Sequence, residues 1–416
     1  MGATLAILFS INTVFIIIFS TAGVAGNPTF SGSLLIACEA TILILSMRHI
    51  KLGYLDYLFG GFVLAAAISY AMNGLTAGFK ETAIFVVSVA CCPVCRFVCI
   101  TDRVKTAFGA TSLYIAIIGA CATAYAIFEQ WPVYEGKPIV FGNDAAGTHF
   151  LMALGFFVIA VTTQERTPKQ ATLILVLVLV TSAIFAAALV RFTFAAMLAT
   201  LGLSWLLNIG KQRAFTSMIA ASIVLGAGCG ILIRFDKIPV LIGFMTERTA
   251  HRSEPMPPPP TSEKLVSPAK TAPSCAMEVN MRNSFAERKA LWQDSLYLIP
   301  RAGLFGLGLD GFMKDSCMKG FPPHNSVFQA FIEFGWMGGI ALSAMIAIAF
   351  FRLIPTARFD ETERFIICML TFAVLISLAH GRLSRDFVLF SMLGIAITYI
   401  DHVTAAVRSS GPKDFQ

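Results

Sequence analysis

Charge is the scarcest property of this chain. Of 416 residues only 13% are Asp, Glu, Lys or Arg, against 56% that are apolar, and mean hydropathy is +0.75. A soluble multidomain enzyme needs a charged surface that this composition does not supply, so the class indicated is a polytopic membrane protein. Metal-ligand sets are lacking as well. Cys91, Cys92 and Cys95 cluster in an apolar run with no histidine beside them. They read as small buried hydrophobes rather than ligands, so neither a metal nor a cofactor is expected. No segment repeats at a fixed period, which excludes a solenoid, and the inverted pattern of many transporters is not visible. The net charge of +7 has no soluble basic domain to carry it, so nucleic acid is not an expected partner. The first apolar run follows Met1 without a basic leader and reads as a retained helix rather than a cleaved signal.

Apolar runs, by contrast, are plentiful. Crossing a bilayer takes about 20 residues, and the sequence predicts about 12 spans: 3–24, 31–47, 54–73, 82–99, 107–128, 147–163, 170–190, 192–209, 214–235, 326–351, 363–380 and 386–401. Pro93 and Arg96 crowd the end of the fourth. Lys and Arg set the orientation. Arg48, Lys51, Arg96, Arg103, Lys105, Arg166, Lys169, Lys211, Arg213, Arg352, Arg358, Arg364, Arg408 and Lys413 fall on one side of these spans. The short loops of the other side hold only Lys80, Lys137, Arg191, Arg382 and Arg385. Both termini are therefore expected in the cytoplasm, with 402–416 as a cytoplasmic tail and the long loop 236–325 outside. Much of the positive charge then sits beside anionic lipid headgroups.

The chain thus divides into spans at 1–235, an outer loop at 236–325 and further spans at 326–401. Within the loop, residues 253–274 are rich in Pro and Ser and are expected to form a tether that does not fold. Ser284 and Glu287 then stand at capping-box spacing, and Phe285, Trp292, Leu296 and Ile299 recur at helical intervals. They predict an amphipathic helix over about 283–299, lying on the membrane surface. Cys275 and Cys317 both fall in this loop, where an oxidising compartment permits a disulfide.

The most informative stretch is RAGLFGLGLDGFMKDSCMKGFPPHNSVFQAFIEFGWMGG, residues 301–339. It joins glycine turns to a Pro-Pro-His-Asn step and the start of an apolar helix. His324 precedes Asn325 and Ser326, either of which can cap the helix beginning near Val327. A helix N-terminus disfavours imidazolium, so His324 is expected to stay neutral and able to accept a proton. Gly306, Gly308 and Gly311 match G-x-G-x-x-G, but no βαβ unit surrounds them and a dinucleotide site is rejected. Their glycines would instead let the backbone turn and approach an anionic ligand.

Arg288 lies on the amphipathic helix, four residues before Trp292, and its guanidinium offers a fork of donors matched to phosphate oxygens. Arg191 interrupts nearly continuous apolar sequence, where charge is costly and usually functional. Arg382 and Arg385, with His380, make a second basic cluster in HGRLSRD. Those two arginines and Arg301 are further candidate substrate contacts, and Glu333 a candidate polar partner for one of the arginines. For each arginine, a headgroup contact is the alternative reading.

The segments RKALWQDSLYLIPRAGLFGLGLDGF and HNSVFQAFIEFGWMGG, across 288–339, resemble the signature of the O-antigen ligase and polymerase superfamily: an Arg-led amphipathic helix, a glycine turn and a His-Asn helix start. Arg191 resembles a position where that family has a Ser-Arg-Gly step, although Val190 and Phe192 replace the small neighbours here. The resemblance implies a GT-C-like, all-α fold with the large loop between the ninth and tenth spans. It also implies a metal-independent, inverting glycosyltransferase of the bacterial inner membrane, with its active site on the periplasmic face. Its donor would be an undecaprenyl-pyrophosphate-linked glycan, and its acceptor the lipid A core in a ligase or a glycan in a polymerase. Arg288 and Arg191 would then clamp pyrophosphate, assisted by Asn325, Gly306 and Gly308, while His324 acts as base. A transporter is the alternative from a different class.

Overall fold

The computed structural model describes residues 52–97, 100–130, 137–142, 146–235 and 284–409, together with Ala40, Thr41 and Ile44. The expected spans at 3–24 and, those three residues apart, 31–47 lie outside the described residues, as do the 253–274 stretch, Cys275 and the chain beyond 409.

Among the described residues the chain is helical and forms no strand. Seven helices are long and apolar enough to cross a membrane: α1 (Tyr54–Asn73), α2 (Gly78–Cys95), α3 (Asp102–Gln130), α5 (Pro168–Ala187), α7 (Gly210–Ile233), α11 (Gly335–Leu353) and α12 (Glu361–His380). Shorter apolar helices are α4 (Ala146–Thr162), α6 (Phe192–Leu207) and the stretch Phe387–Val403 of α13 (Phe387–Ser409). Between α7 and α11 come α8 (Ser284–Leu298), α9 (Gly311–Asp315) and α10 (Ser326–Glu333).

Local chemistry sets the ends of these helices. Thr167 accepts from the Gln170 N–H at 3.4 Å with Pro168 in the first turn of α5, and Asp360 accepts from the N–H groups of Thr362 and Glu363 to open α12. Small residues let helices approach. A Cβ added at Gly226 or Gly230 of α7 would overlap the carbonyls of Leu179 and Ala183 on α5, the close backbone contact typical of packing within a bilayer. Phenylalanines fill the middle of the bundle: Phe334 lies 5.0 Å from Phe85 and 5.7 Å from Phe62, and Phe156 lies 5.2 Å from Phe372.

Because the helices alternate in direction, polar groups gather at two opposite ends. At one end Arg96 bridges Asp56 at 3.0 Å and Asp401 at 2.8 Å, fastening α2 to α1 and α13. The other end carries the candidate site.

The expected continuous span at 326–351 is instead two helices. Gly335 breaks it with φ 70, a conformation open to glycine at little cost. The turn at 302–308 supplies the hydrogen bonds lost at the break. Leu307 and Gly308 donate N–H to the carbonyls of Ile332 and Glu333 at 2.9 and 3.0 Å, and Trp336 donates to Gly303 at 3.0 Å. The hydroxyl of Ser69 on α1 also donates to the Glu333 carbonyl, at 2.6 Å. Buried backbone groups demand such partners, and the tertiary pairing of turn with helix is what allows the break.

α8 is helical over the expected stretch and has two distinct faces. Ala290, Leu291 and Leu298 pack with Phe312, Met318 and Ile332, while Phe285, Trp292 and Leu296 point outward and are exposed. Buried Asp294 accepts the Cys317 N–H at 3.1 Å. Cys317 is disulfide-bonded, to a partner outside the described residues.

Candidate functional site

Arg288, Arg191 and His324 come from separate parts of the chain and meet at one end of the bundle. The guanidinium of Arg288 lies 3.7 Å above the ring of Phe192, the residue that follows Arg191 at the start of α6. Its Nη2 donates to His380 Nδ1 at 3.0 Å, and the His380 ring meets Phe192 edge-on at 5.8 Å between centroids. The cation is thereby held flat between an aromatic face and an imidazole edge. Burial pulls the Arg288 pKa down to about 10, opposed by the charge of Glu287 and helped to a lesser extent by that of Arg191. It remains a cation at neutral pH. Burial likewise lowers Arg191, which caps α6 directly after Leu189 and Val190.

His324 stands across from Glu287, with Nε2 3.9 Å from Oε1. Its pKa falls to about 4, chiefly through burial and then through the positive charges of Arg288, Arg382 and Lys137. The neutral state expected from the sequence therefore arises from desolvation and cationic neighbours. Its backbone is left-handed, φ 52, which is uncommon for any residue with a side chain. The other non-glycine residues with positive φ among those described are Phe141, Leu189 and Asp310, and all lie at this same end. Strained backbone of this kind concentrates at functional sites.

The remaining residues indicated by the sequence divide into neighbours and supports. Arg382 sits between two carboxylates, 3.1 Å from Asp310 Oδ2 and 3.1 Å from Glu81 Oε1. Arg385 donates to Glu81 Oε2 at 2.9 Å, and Ser384 also bonds that carboxylate. Burial raises the Asp310 pKa, with Arg382 opposing it. Asn325 is the helix cap, its Oδ1 accepting from the Phe328 N–H at 3.0 Å. Glu333 is fully buried and accepts from Gln329 Nε2 at 2.9 Å, while Gln329 accepts the Leu383 N–H at 2.7 Å. Burial and the Gln329 bond act on Glu333 more strongly than the charge of Arg382, which pairs with Glu81 and Asp310 instead.

Two expectations need correction. Gly306 and Gly308, with φ 76 and 85, do not present their N–H groups to an anion. Gly306 donates to the Ala302 carbonyl and Gly308 to that of Glu333, at 3.1 and 3.0 Å. They line the helix break, where a Cβ on Gly306 would lie 2.5 Å from the Gly335 nitrogen. Arg301 stands apart from the cluster, donating to the Tyr297 carbonyl at 2.7 Å and covering its own helix's Tyr297 ring.

Phe192 and Glu81 have roles that the sequence did not indicate, and His380, expected only within the basic cluster of HGRLSRD, is the partner of Arg288. Phe192 looks like one more apolar residue in an apolar helix, and Glu81 like an isolated charge at a loop. Among the described residues no set of side chains could hold a metal ion.

This end of the molecule can thus bind an anion on fixed guanidinium donors while offering a neutral imidazole to a proton. No family model, curated protein or solved structure matches this chain.

Proposed function

We propose that this chain is a membrane glycosyltransferase of the O-antigen ligase type, with about 12 spans and the site facing the periplasm. It moves an undecaprenyl-pyrophosphate-linked glycan onto a hydroxyl of the lipid A core. The observation that carries the reading is Arg288: a half-buried guanidinium fixed by Phe192 and His380, beside Arg191 and within electrostatic reach of neutral His324. A sugar 1-pyrophosphate is already activated. It needs charge stabilisation as it departs and deprotonation of the incoming hydroxyl.

Arg288 and Arg191 meet the first need by binding the pyrophosphate oxygens. His324 meets the second, taking the hydroxyl proton as the oxygen attacks the anomeric carbon and the pyrophosphate leaves with the bonding pair. Cationic neighbours help to hold His324 down to about 4. A bound pyrophosphate offsets those charges, so the ring becomes a stronger base when the donor is in place.

The test is the profile of glycans and lipid-linked intermediates in host cells carrying His324→Ala or Arg288→Lys, beside a deletion and the wild type. The expected result is long polymer accumulating on undecaprenyl pyrophosphate above bare lipid A core, with turnover down by about two to four powers of ten in His324→Ala. Accumulated single repeat units would instead identify a polymerase. Normal glycans in the His324→Ala strain refute the base assignment. Equal activity in Arg288→Lys refutes forked recognition of phosphate.

A second reading, a transporter, is favoured by one feature: the discontinuous helix at Gly335, since broken helices often line transport sites. An unchanged glycan profile in the deletion strain would place it first.

A further inference from the structure

A guanidinium carries only donors. The 3.0 Å contact between Arg288 Nη2 and His380 Nδ1 therefore fixes His380: Nδ1 must be bare and accept, and the ring's hydrogen must sit on Nε2. That Nε2 is buried and meets no hydrogen-bond partner among the described residues, and the same is true of Arg288 Nη1. Two buried donors on adjacent, mutually bonded groups are left without acceptors. Each such group carries a desolvation penalty until something accepts from it. The groups whose charges reach His380 are Arg288, Lys137, His324 and His149, surroundings that favour an anion, and an anion with more than one oxygen can accept from both donors.

We propose that His380 is a further binding residue for the phosphate oxyanion, donating from a neutral ring through Nε2 while Arg288 donates through Nη1. The pair acts as one unit, because the hydrogen bond that orients the guanidinium also sets the tautomer that makes the imidazole a donor. Protonating His380 would turn Nδ1 into a donor facing a donor and release Arg288 from its seat. His380 thus serves as a donor only, distinct from the proton-accepting role given to His324. This assignment rests on the glycosyl-transfer reading for the identity of the anion, but not for its geometry.

The experiment uses the purified full-length protein in nanodiscs with 15N-labelled histidine, titrated with inorganic pyrophosphate and with farnesyl pyrophosphate. The His380 resonances are identified by their loss in His380→Asn. In the wild type the expected spectrum has the proton on Nε2, and that signal shifts as pyrophosphate binds. His380→Asn keeps an acceptor opposite Arg288 Nη2 but loses the second donor, and should weaken pyrophosphate about tenfold. His380→Gln places an amide donor near the position of Nε2 and should recover part of that loss.

A proton on Nδ1, an unshifted Nε2 signal at saturating pyrophosphate, or wild-type affinity in His380→Asn each overturns the proposal. Comparing discs of phosphatidylcholine with discs containing phosphatidylglycerol identifies the source of the anion: competition by the latter marks a lipid headgroup as an occupant of the same donor pair. If the His380 dependence holds while no glycan is transferred from a lipid-linked donor, the glycosyl-transfer reading fails and the anion site stands.

Discussion

Replacing Gly335 by alanine isolates what the helix break contributes. Gly335 sits at φ 70, where an alanine costs roughly 1–2 kcal/mol for its backbone alone. Its new Cβ would overlap the Leu304 carbonyl and lie 2.5 Å from the Gly306 nitrogen. Both obstacles are backbone, so no side chain can swing aside. The turn at 302–308 has to move, and the bonds from Leu307 to Ile332, Gly308 to Glu333, Trp336 to Gly303 and Met337 to Leu304 are weakened together. At about 1 kcal/mol net for each of the four bonds, added to the backbone cost, the total loss is about 5–6 kcal/mol if all four are lost. Gly320→Ala is the control: its φ is 84, but nothing lies within 4 Å of the added Cβ, so only the backbone cost of roughly 1–2 kcal/mol applies. Thermal unfolding of both purified variants in detergent, followed by tryptophan fluorescence and helix signal, reads the difference. If Gly335→Ala is no less stable than Gly320→Ala, the pairing of turn and broken helix does not hold this end together.

Further outcomes follow from the site itself. The unprotonated base form of His324 is present above its pKa of about 4, so activity falls as pH drops through that value. The acid limb of kcat/KM should lie near it, and the limb of kcat higher, because a bound anion offsets the neighbouring charges; coincident limbs would refute that coupling. Phe192→Leu removes the aromatic face under Arg288 and should weaken donor binding by about 0.5–2 kcal/mol, seen as a raised KM for the lipid-linked donor with expression unchanged. Glu81→Gln withdraws the charge that Arg382 and Arg385 share. It should destabilise the protein by about 1–3 kcal/mol in thermal unfolding, partly recovered in the Glu81→Asp variant.

The helices of the bundle were largely legible, because a long apolar run has few alternatives to a spanning helix. The third expected span, 54–73, forms Tyr54–Asn73, and Asn325 caps α10 in the manner its position indicated. The break at Gly335 was not legible: its cause is a turn thirty residues upstream, and the sequence on either side is equally apolar and helical. The second face of α8 was not legible: beside the outward apolar residues Phe285, Trp292 and Leu296, it packs Ala286, Ala290, Leu291 and Leu298 against the protein, and that depends on where α9 and α10 lie. Arg288 and His324 were identifiable as unusual residues, whereas the contact with His380 and Phe192 depends on how α6, α8 and α12 meet. Arg382 and Arg385 were visible as cations, but their engagement by Glu81 and Asp310 was not.

The mutual dependence of the 302–308 turn and the broken helix also dictates an order of assembly. Residues 302–308 are synthesised before residues 326–337, so their N–H groups rely on other partners until α10 and α11 are in place. Arg288 waits longer still, since His380 closes α12 and Arg382 follows it. The site is therefore one of the last parts of the molecule to be completed. A nascent chain halted before α12 carries the helix with Arg288 but lacks the His380 partner that fixes its guanidinium, so the constellation exists only in a finished bundle.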